Sequence, residues 1–439
     1  MSEELKIADS KAGVPWLHLI VLVAILGCSL GTRLYRLGEP ATMYFDEVYF
    51  GYTAQQYVNG NRDAYDPFAK TPEGKANEWT HPPLGKLILA TAIAIGGDGF
   101  FVMRLAPALA GVLAALLIYI LTLQLCRSRL AGLFACFLYC TEGLAFVQSR
   151  IATADVFITV FILSAFICHA RWRMNANASR WWLVGAGLCA GLTLATKWTG
   201  VFVIGLLGAD LIVLWLLVLL KWTAWRRIDI WTVLTAAFSL IVLPAAIYMA
   251  SYIHYFTMGF QWSDFVELQR QMWVYHTGLT SPHAYQSKPL QWVFNIRPVW
   301  FYVDYPNDDY IANIYNIGNS ITLYMGLAAM AWLCITWVRQ RLWAAGFFLC
   351  AYLILWAPWL ASPRVMFFYH YLHATALLCI AGGWMLYRVR ELPLNFDALA
   401  WVALAMALAW FVLFYPDMTA VSVPRWWADG VYGFIPSWR

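Results

Sequence analysis

The run Leu84-Gly-Lys-Leu-Ile-Leu-Ala-Thr-Ala-Ile-Ala-Ile95, closed by Gly96-Gly97-Asp98, decides how the chain is threaded. It has 12 residues, whereas a helix crossing the hydrocarbon core needs roughly 20. Eleven longer apolar runs surround it: Leu17 to Leu34, Phe100 to Leu125, Leu130 to Val147, Ala152 to Ala170, Trp181 to Ala195, Val201 to Leu220, Ile230 to Ala250, Asn313 to Val338, Leu342 to Leu360, Met366 to Tyr387 and Ala398 to Tyr415. If Leu84 to Ile95 does not cross and the N-terminus is cytoplasmic, five successive short turns become cytoplasmic. They carry Arg127/Arg129, Arg171/Arg173/Arg180, Lys221/Arg226/Arg227, Arg339/Arg341 and Arg388/Arg390. Basic residues favour that side. Counting the short run as a span inverts all five, so it reads as an interfacial or re-entrant segment.

Composition agrees with a bilayer protein. Of 439 residues, 62% are apolar and 12% charged, with 25 Trp, 24 Tyr and 26 Phe. Soluble domains run near a quarter charged and about half apolar. A net charge of +5 spread over this mass is no basic patch, so nucleic acid is not an expected partner. The first run is too long for a cleaved signal peptide and lacks a following small-residue cleavage site. All nine cysteines fall inside apolar runs without zinc spacing. Cys136 and Cys140 share a helix face and read as packing residues. The expected architecture is a single all-α polytopic domain over residues 1–439.

Two long segments lie on the expected external face, residues 38–99 and 251–312, both rich in Trp, Tyr, His, Asp and Pro. Long loops in a compact protein are usually functional. The tail from Pro416, with Trp426, Trp427 and Trp438, reads as an interfacial anchor on the same side. Ionisable residues gather at the ends of spans on this face: Asp46 and Glu47, His81 and Lys86, Arg104, Glu142 and Arg150, Asp155, Lys197, and Arg364 with His370. Burying such groups near hydrocarbon costs several kcal/mol each, so they are functional or paired. Their convergence suits a reaction on a lipid-linked anionic substrate. A transporter places its charges near the midplane, on broken helices of repeated halves. Only Asp210, well inside a span, breaks the pattern.

Plainer readings stand beside these. Arg150 and Asp155 suit an interfacial ion pair, Arg104 and Lys197 snorkelling cations, and His370 and His373 separate hydrogen-bonded histidines rather than a metal site. Asp46-Glu47 suits a solvated loop pair, but Tyr44, Phe45, Val48, Tyr49 and Phe50 surround it, and poor solvation raises a carboxyl pKa.

The ordered motifs resemble the protein O-mannosyltransferases, polytopic glycosyltransferases of the GT-C fold. The matching stretches are Phe45-Asp46-Glu47-Val48-Tyr49-Phe50-Gly51, His81-Pro82-Pro83-Leu84-Gly85-Lys86, Arg104-Leu105-Ala106-Pro107, and Gln148-Ser149-Arg150-Ile151 leading to Asp155. They continue with Thr196-Lys197-Trp198-Thr199-Gly200, Tyr275-His276, His283-Ala284-Tyr285-Gln286-Ser287, Ala312-Asn313-Ile314-Tyr315 with Gly318-Asn319, and Phe368-Tyr369-His370-Tyr371-Leu372. The external loop has no room for the soluble MIR domain of large eukaryotic members, so the chain looks like a compact bacterial form. His-Ala-Tyr stands where bacterial relatives have His-Pro-Tyr.

The resemblance implies eleven spans, a cytoplasmic N-terminus, an external C-terminus and a plasma-membrane location. It also implies transfer of mannose from a polyprenyl-phosphate donor to Ser or Thr hydroxyls of exported proteins, with inversion. Asp46 matches the family's catalytic acid, with Glu47 positioning the acceptor or sharing the role. Arg104 and Lys197 match the phosphate contacts, with Arg364 and His370 behind them and His81, Lys86, Arg150 and Asp155 in support. No metal is required by that scheme. The rival expectations are a GT-C transferase acting on a lipid or envelope glycan, and a lipid-linked-sugar transporter.

Overall fold

The computed structural model describes residues 15–222, 229–280, 282–392 and 396–438; Arg226 and Arg227 of the expected cytoplasmic turns lie outside the described residues. The chain begins with α1 (Pro15–Leu34), α2 (Phe50–Val58), α3 (Leu84–Gly96), α4 (Phe100–Cys126), α5 (Arg129–Cys140), α6 (Gly143–Gln148), α7 (Asp155–Met174), α8 (Trp181–Leu194) and α9 (Gly200–Leu219). Next come α10 (Ile230–Ala237), α11 (Leu243–Ser251), α12 (Ile253–Thr257), α13 (Trp262–Gly278), α14 (Pro289–Val293), β1 (Val299–Asn307) and β2 (Tyr310–Asn316). It ends with α15 (Ser320–Gln340), α16 (Trp343–Trp356), α17 (Leu372–Arg390), α18 (Asp397–Phe414), β3 (Val423–Pro424) and α19 (Arg425–Val431).

Among the described residues, 9 helical segments are long and apolar enough to cross a membrane, and each coincides with an expected span. The other two expected spans are shorter helices, α5 with 12 residues and α8 with 14. The short run Leu84 to Ile95 is α3, which ends where Gly97 takes φ +90°, a conformation natural to glycine. The expected run Leu130 to Val147 is broken at Thr141-Glu142. Glu142 leaves the helical path because its carboxylate caps α6, accepting from Ala145 N at 2.7 Å. Its other oxygen accepts from Asn319 N at 3.0 Å, and the Asn319 side chain caps α15 and donates to the Thr141 and Ala407 carbonyls.

The eighth span therefore starts at Ser320, because Asn313–Asn316 belongs to a strand. The all-helical expectation missed a small antiparallel sheet of order β1-β2-β3. Alternation over Val299–Asn307 is weak, and pairing partners from distant loops do not show in a linear sequence. The C-terminal tail folds back onto the long loops: β3 pairs with β2, and buried Trp438 donates to the Asn295 carbonyl at 2.7 Å. Trp426 alone of those three tryptophans is largely exposed, at 72%.

Helix α17 lies at the centre, against α4, α5, α6, α7, α15, α16 and α18. Its small residues permit this. A Cβ added to Gly383 would sit 2.5 Å from Ala135 N of α5, so backbones approach as they do between membrane helices with small interfaces. Asp210, the acid without an account in the sequence, cross-links three helices. It takes His169 Nε2 at 2.8 Å, Trp343 Nε1 at 2.7 Å and the Arg173 guanidinium at 3.4 Å.

Candidate active site

The two long loops and the tail pack together at one end of the bundle. Phe301 of β1 stacks on Phe45 at 3.9 Å, His276 of α13 bonds Thr80, and Arg297 donates to the Ser437 carbonyl. Phe45–Val48 forms a single tight turn whose first residue has φ +49°. A phenylalanine in the left-handed region is strained. Phe301 holds it by stacking, with Phe367 and Tyr369 presenting their edges.

That turn sends Asp46 and Glu47 in opposite directions. Glu47 is fully buried and takes the Arg104 guanidinium on both oxygens at 2.8 Å, together with Ala152 N at 2.9 Å. The remaining N–H groups of Arg104 donate to the carbonyls of Leu37, Pro40 and Thr42 at 3.2, 3.0 and 2.8 Å. Five donors meet five acceptors, the full capacity of a guanidinium. Two expectations are thereby corrected. Arg104 does not face the cavity as a phosphate contact, and Glu47 does not reach an acceptor; together they clamp the loop that presents Asp46.

Two supporting residues are likewise internal. Lys86 directs its ammonium to Glu78 and to the His81 carbonyl, the latter at 2.8 Å. Arg150 caps the end of α1 through the carbonyls of Thr32, Arg33, Tyr35 and Arg36. It does not pair with Asp155. Asp155 instead meets Lys197 at 2.7 Å. His373 bonds Thr159 Oγ1 at 2.9 Å, and His370 Nδ1 lies 2.9 Å from the Phe367 carbonyl, so each histidine has its own partner.

Asp46 faces two cavities that meet at its carboxyl. One, of about 290 Å³, is lined by Lys197, Arg364, Asp155, His370 and His373, with Trp198, Phe202, Pro358 and Trp359 as apolar walls. The other, of about 480 Å³, is lined by Asn77, Glu78, Thr80, Tyr49, Tyr275 and His283. Asp46, Phe50, His81, Arg364 and Tyr369 border both. Of the expected site residues, the structure thus gathers Asp46, His81, Asp155, Lys197, Arg364 and His370, and sets Glu47, Lys86, Arg104 and Arg150 behind them.

The electrostatics follow from enclosure. Burial pushes the Asp46 carboxyl up to about 7, against the pull of Lys197, while Asp155 and Glu78 push in the same direction as burial. The Tyr369 hydroxyl, hydrogen-bonded to Asp46, opposes the rise. Burial, then the charge of Lys197, hold His81 well below its ordinary range, and burial with Arg364 holds His276 down at about 4. The fixed cations are then Lys197 and Arg364, flanked by neutral imidazoles. The Asp46 carboxyl stands between a basic chamber and a polar one.

Tyr369, His276 and Glu78 were not singled out as site residues in the sequence. The first two lie inside quoted motifs, but only proximity in space gives them partners on other loops.

Two family models cover most of the chain: dolichyl-phosphate-mannose-protein mannosyltransferase over residues 23–261, and the C-terminal four-transmembrane region of protein O-mannosyltransferase over residues 261–425. Among similar proteins, the polyprenol-phosphate-mannose–protein mannosyltransferase of Mycobacterium tuberculosis is 28% identical, over 96% of this chain and 91% of that one. The Mycolicibacterium smegmatis protein of the same name is 25% identical, over 97% and 93%. Among solved structures, the Saccharomyces cerevisiae Pmt1-Pmt2 complex bound to the sugar donor superposes with a TM-score of 0.82 at 15% identity, covering 99% of this chain and 94% of that one. ArnT of Cupriavidus metallidurans bound to undecaprenyl phosphate gives 0.58 at 15% identity, over 93% and 75%. These likenesses identify the architecture as the GT-C fold, and the chain belongs to the dolichyl-phosphate-mannose–protein mannosyltransferase family.

Proposed function

We propose that the enzyme transfers mannose from a polyprenyl-phosphate carrier to Ser or Thr hydroxyls of protein acceptors, with Asp46 as the general base. The observation that carries this reading is the placement, on the wall common to two chambers, of a carboxyl that makes no ion pair among the described residues. A hydroxyl is a weak nucleophile, and a positioned base contributes about 10²–10⁴-fold by taking its proton as the bond forms. The leaving phosphate gains charge as the sugar departs. Lys197 and Arg364 line the chamber beside Asp46, and fixed cations in an enclosed site stabilise such charge by a few kcal/mol each. His370 and Asp155 complete its wall, Asp155 by holding Lys197 in place. The aromatic flank at Trp198, Phe202 and Trp359 suits the first units of the lipid chain, and the polar chamber suits an acceptor segment.

Asp155 is engaged by Lys197, Glu47 by Arg104 and Glu78 by Lys86, which leaves Asp46, among the described residues, as the chamber carboxyl without an ion pair. One base and direct attack imply inversion at the anomeric carbon. The positive-inside pattern supports a cytoplasmic N-terminus, with loops 38–99 and 251–312 and the site on the outer face of the plasma membrane.

The test is transfer in liposomes holding labelled polyprenyl-phosphate-mannose and a Ser/Thr peptide. Label should enter the peptide as an α-linked sugar from a β-linked donor. Asp46→Asn should lose at least ~100-fold in turnover while still binding donor; retained turnover removes Asp46 as the base.

A further inference from the structure

His276 touches neither Asp46 nor an acid, yet both its ring nitrogens are engaged. Nε2 lies 2.7 Å from the Thr80 carbonyl, and Nδ1 lies 2.6 Å from Nη1 of Arg364. A carbonyl only accepts and a guanidinium only donates. Nε2 therefore carries the proton, Nδ1 presents its lone pair, and the ring is neutral. Stacking fixes its plane: His81 lies at 4.9 Å and 29°, and Trp198 packs at 5.8 Å.

Arg364 stands on a segment without regular structure, between the turns Ala357–Ala361 and Phe368–Tyr371. Among the described residues it pairs with no carboxylate, and it borders both chambers. An acid at position 276 would aim the guanidinium but cancel its charge. A neutral imidazole aims it and leaves the charge free for an anion. At its other nitrogen the same ring holds Thr80, whose amide and hydroxyl both bond Glu78 on the wall of the polar chamber.

We propose that His276 is a positioning residue for the donor phosphate: a neutral bridge that orients Arg364 into the basic chamber and ties it to the Thr80 wall of the acceptor chamber. This rests on the mannosyl-transfer reading above and deepens it.

The experiment measures the affinity of polyprenyl phosphate and the kcat and KM for polyprenyl-phosphate-mannose, with the full chain in liposomes. His276→Phe keeps a stacking ring and loses both bonds; it should weaken polyprenyl-phosphate affinity about 10-fold or more, the scale of a hydrogen bond to a charged group. His276→Gln, which offers one acceptor and one donor, should stay within about threefold of wild type by the same scale. Adding Arg364→Ala to His276→Phe should cost nothing beyond Arg364→Ala alone. If the phenylalanine variant does not fold, His276→Glu carries the prediction, because it can hold Arg364 but cancels its charge and must weaken phosphate binding. Unchanged polyprenyl-phosphate affinity in folded His276→Phe or His276→Glu, with only thermal stability lowered, overturns the bridge. Wild-type protein that fails to bind polyprenyl phosphate would overturn the donor reading itself.

Discussion

Asp46 holds its proton more tightly than an ordinary aspartate because burial raises its pKa to about 7, with Lys197 as the main opposing charge. Only the ionised carboxyl can accept a proton, so kcat/KM should rise with pH through about 7 and level off above it. Lys197→Gln removes the cation that favours ionisation, so the limb should move to higher pH; an unmoved midpoint in the pH profile would count against the electrostatic influence of Lys197 on Asp46. The same shift bears on stability. Between the unfolded and folded pKa values the native state binds more protons, so stability falls as pH rises through that window and is lowest above about 7. Asp46→Asn should therefore melt no lower than wild type at pH 8 in a thermal scan, while transfer collapses. A lower melting temperature would mean that Asp46 serves structure instead. Composition marked Asp46 and Glu47 as a pair, but could not say which of two adjacent acids faces the chamber.

At the scale of elements, the clamp between the first loop and α4 governs where Asp46 points. Breaking a buried ion pair from one side costs about 3–5 kcal/mol. Arg104→Lys keeps a charge but cannot serve five acceptors in a fork. It should lower the melting temperature and the rate of transfer, while folded protein binds polyprenyl phosphate near the wild-type level. Phosphate affinity reduced tenfold or more at unchanged stability would return Arg104 to the role of a phosphate contact. The broken third span and the β1-β2 hairpin belong to this scale too. Glu142 and Asn319 are far apart in sequence, each caps its own helix, and the backbone N–H of Asn319 donates to the Glu142 carboxylate, so neither break shows in an apolar count.

For the whole molecule, the charge pattern and the packing converge on one arrangement: both long loops and the tail lie at the end of the bundle that carries the site. A cysteine at exposed Glu73, in the first long loop, should react with an impermeant maleimide on intact cells. One at exposed Asn177, between α7 and α8, should react only after permeabilisation. The reverse labelling would invert the proposed topology.

Hydrophobic run length determined by itself that this is a polytopic helical protein and where its nine long apolar helices among the described residues lie, because bilayer thickness acts on local sequence. The motif order carried the family. Only the tertiary structure decided which charges border a cavity. Arg104 and Lys197 look alike in sequence; one is enclosed by Glu47 and three carbonyls, whereas the other meets Asp155 at the edge of a cavity. A charge's partner is set by segments dozens of residues away, and that proximity exists only once the helices have packed.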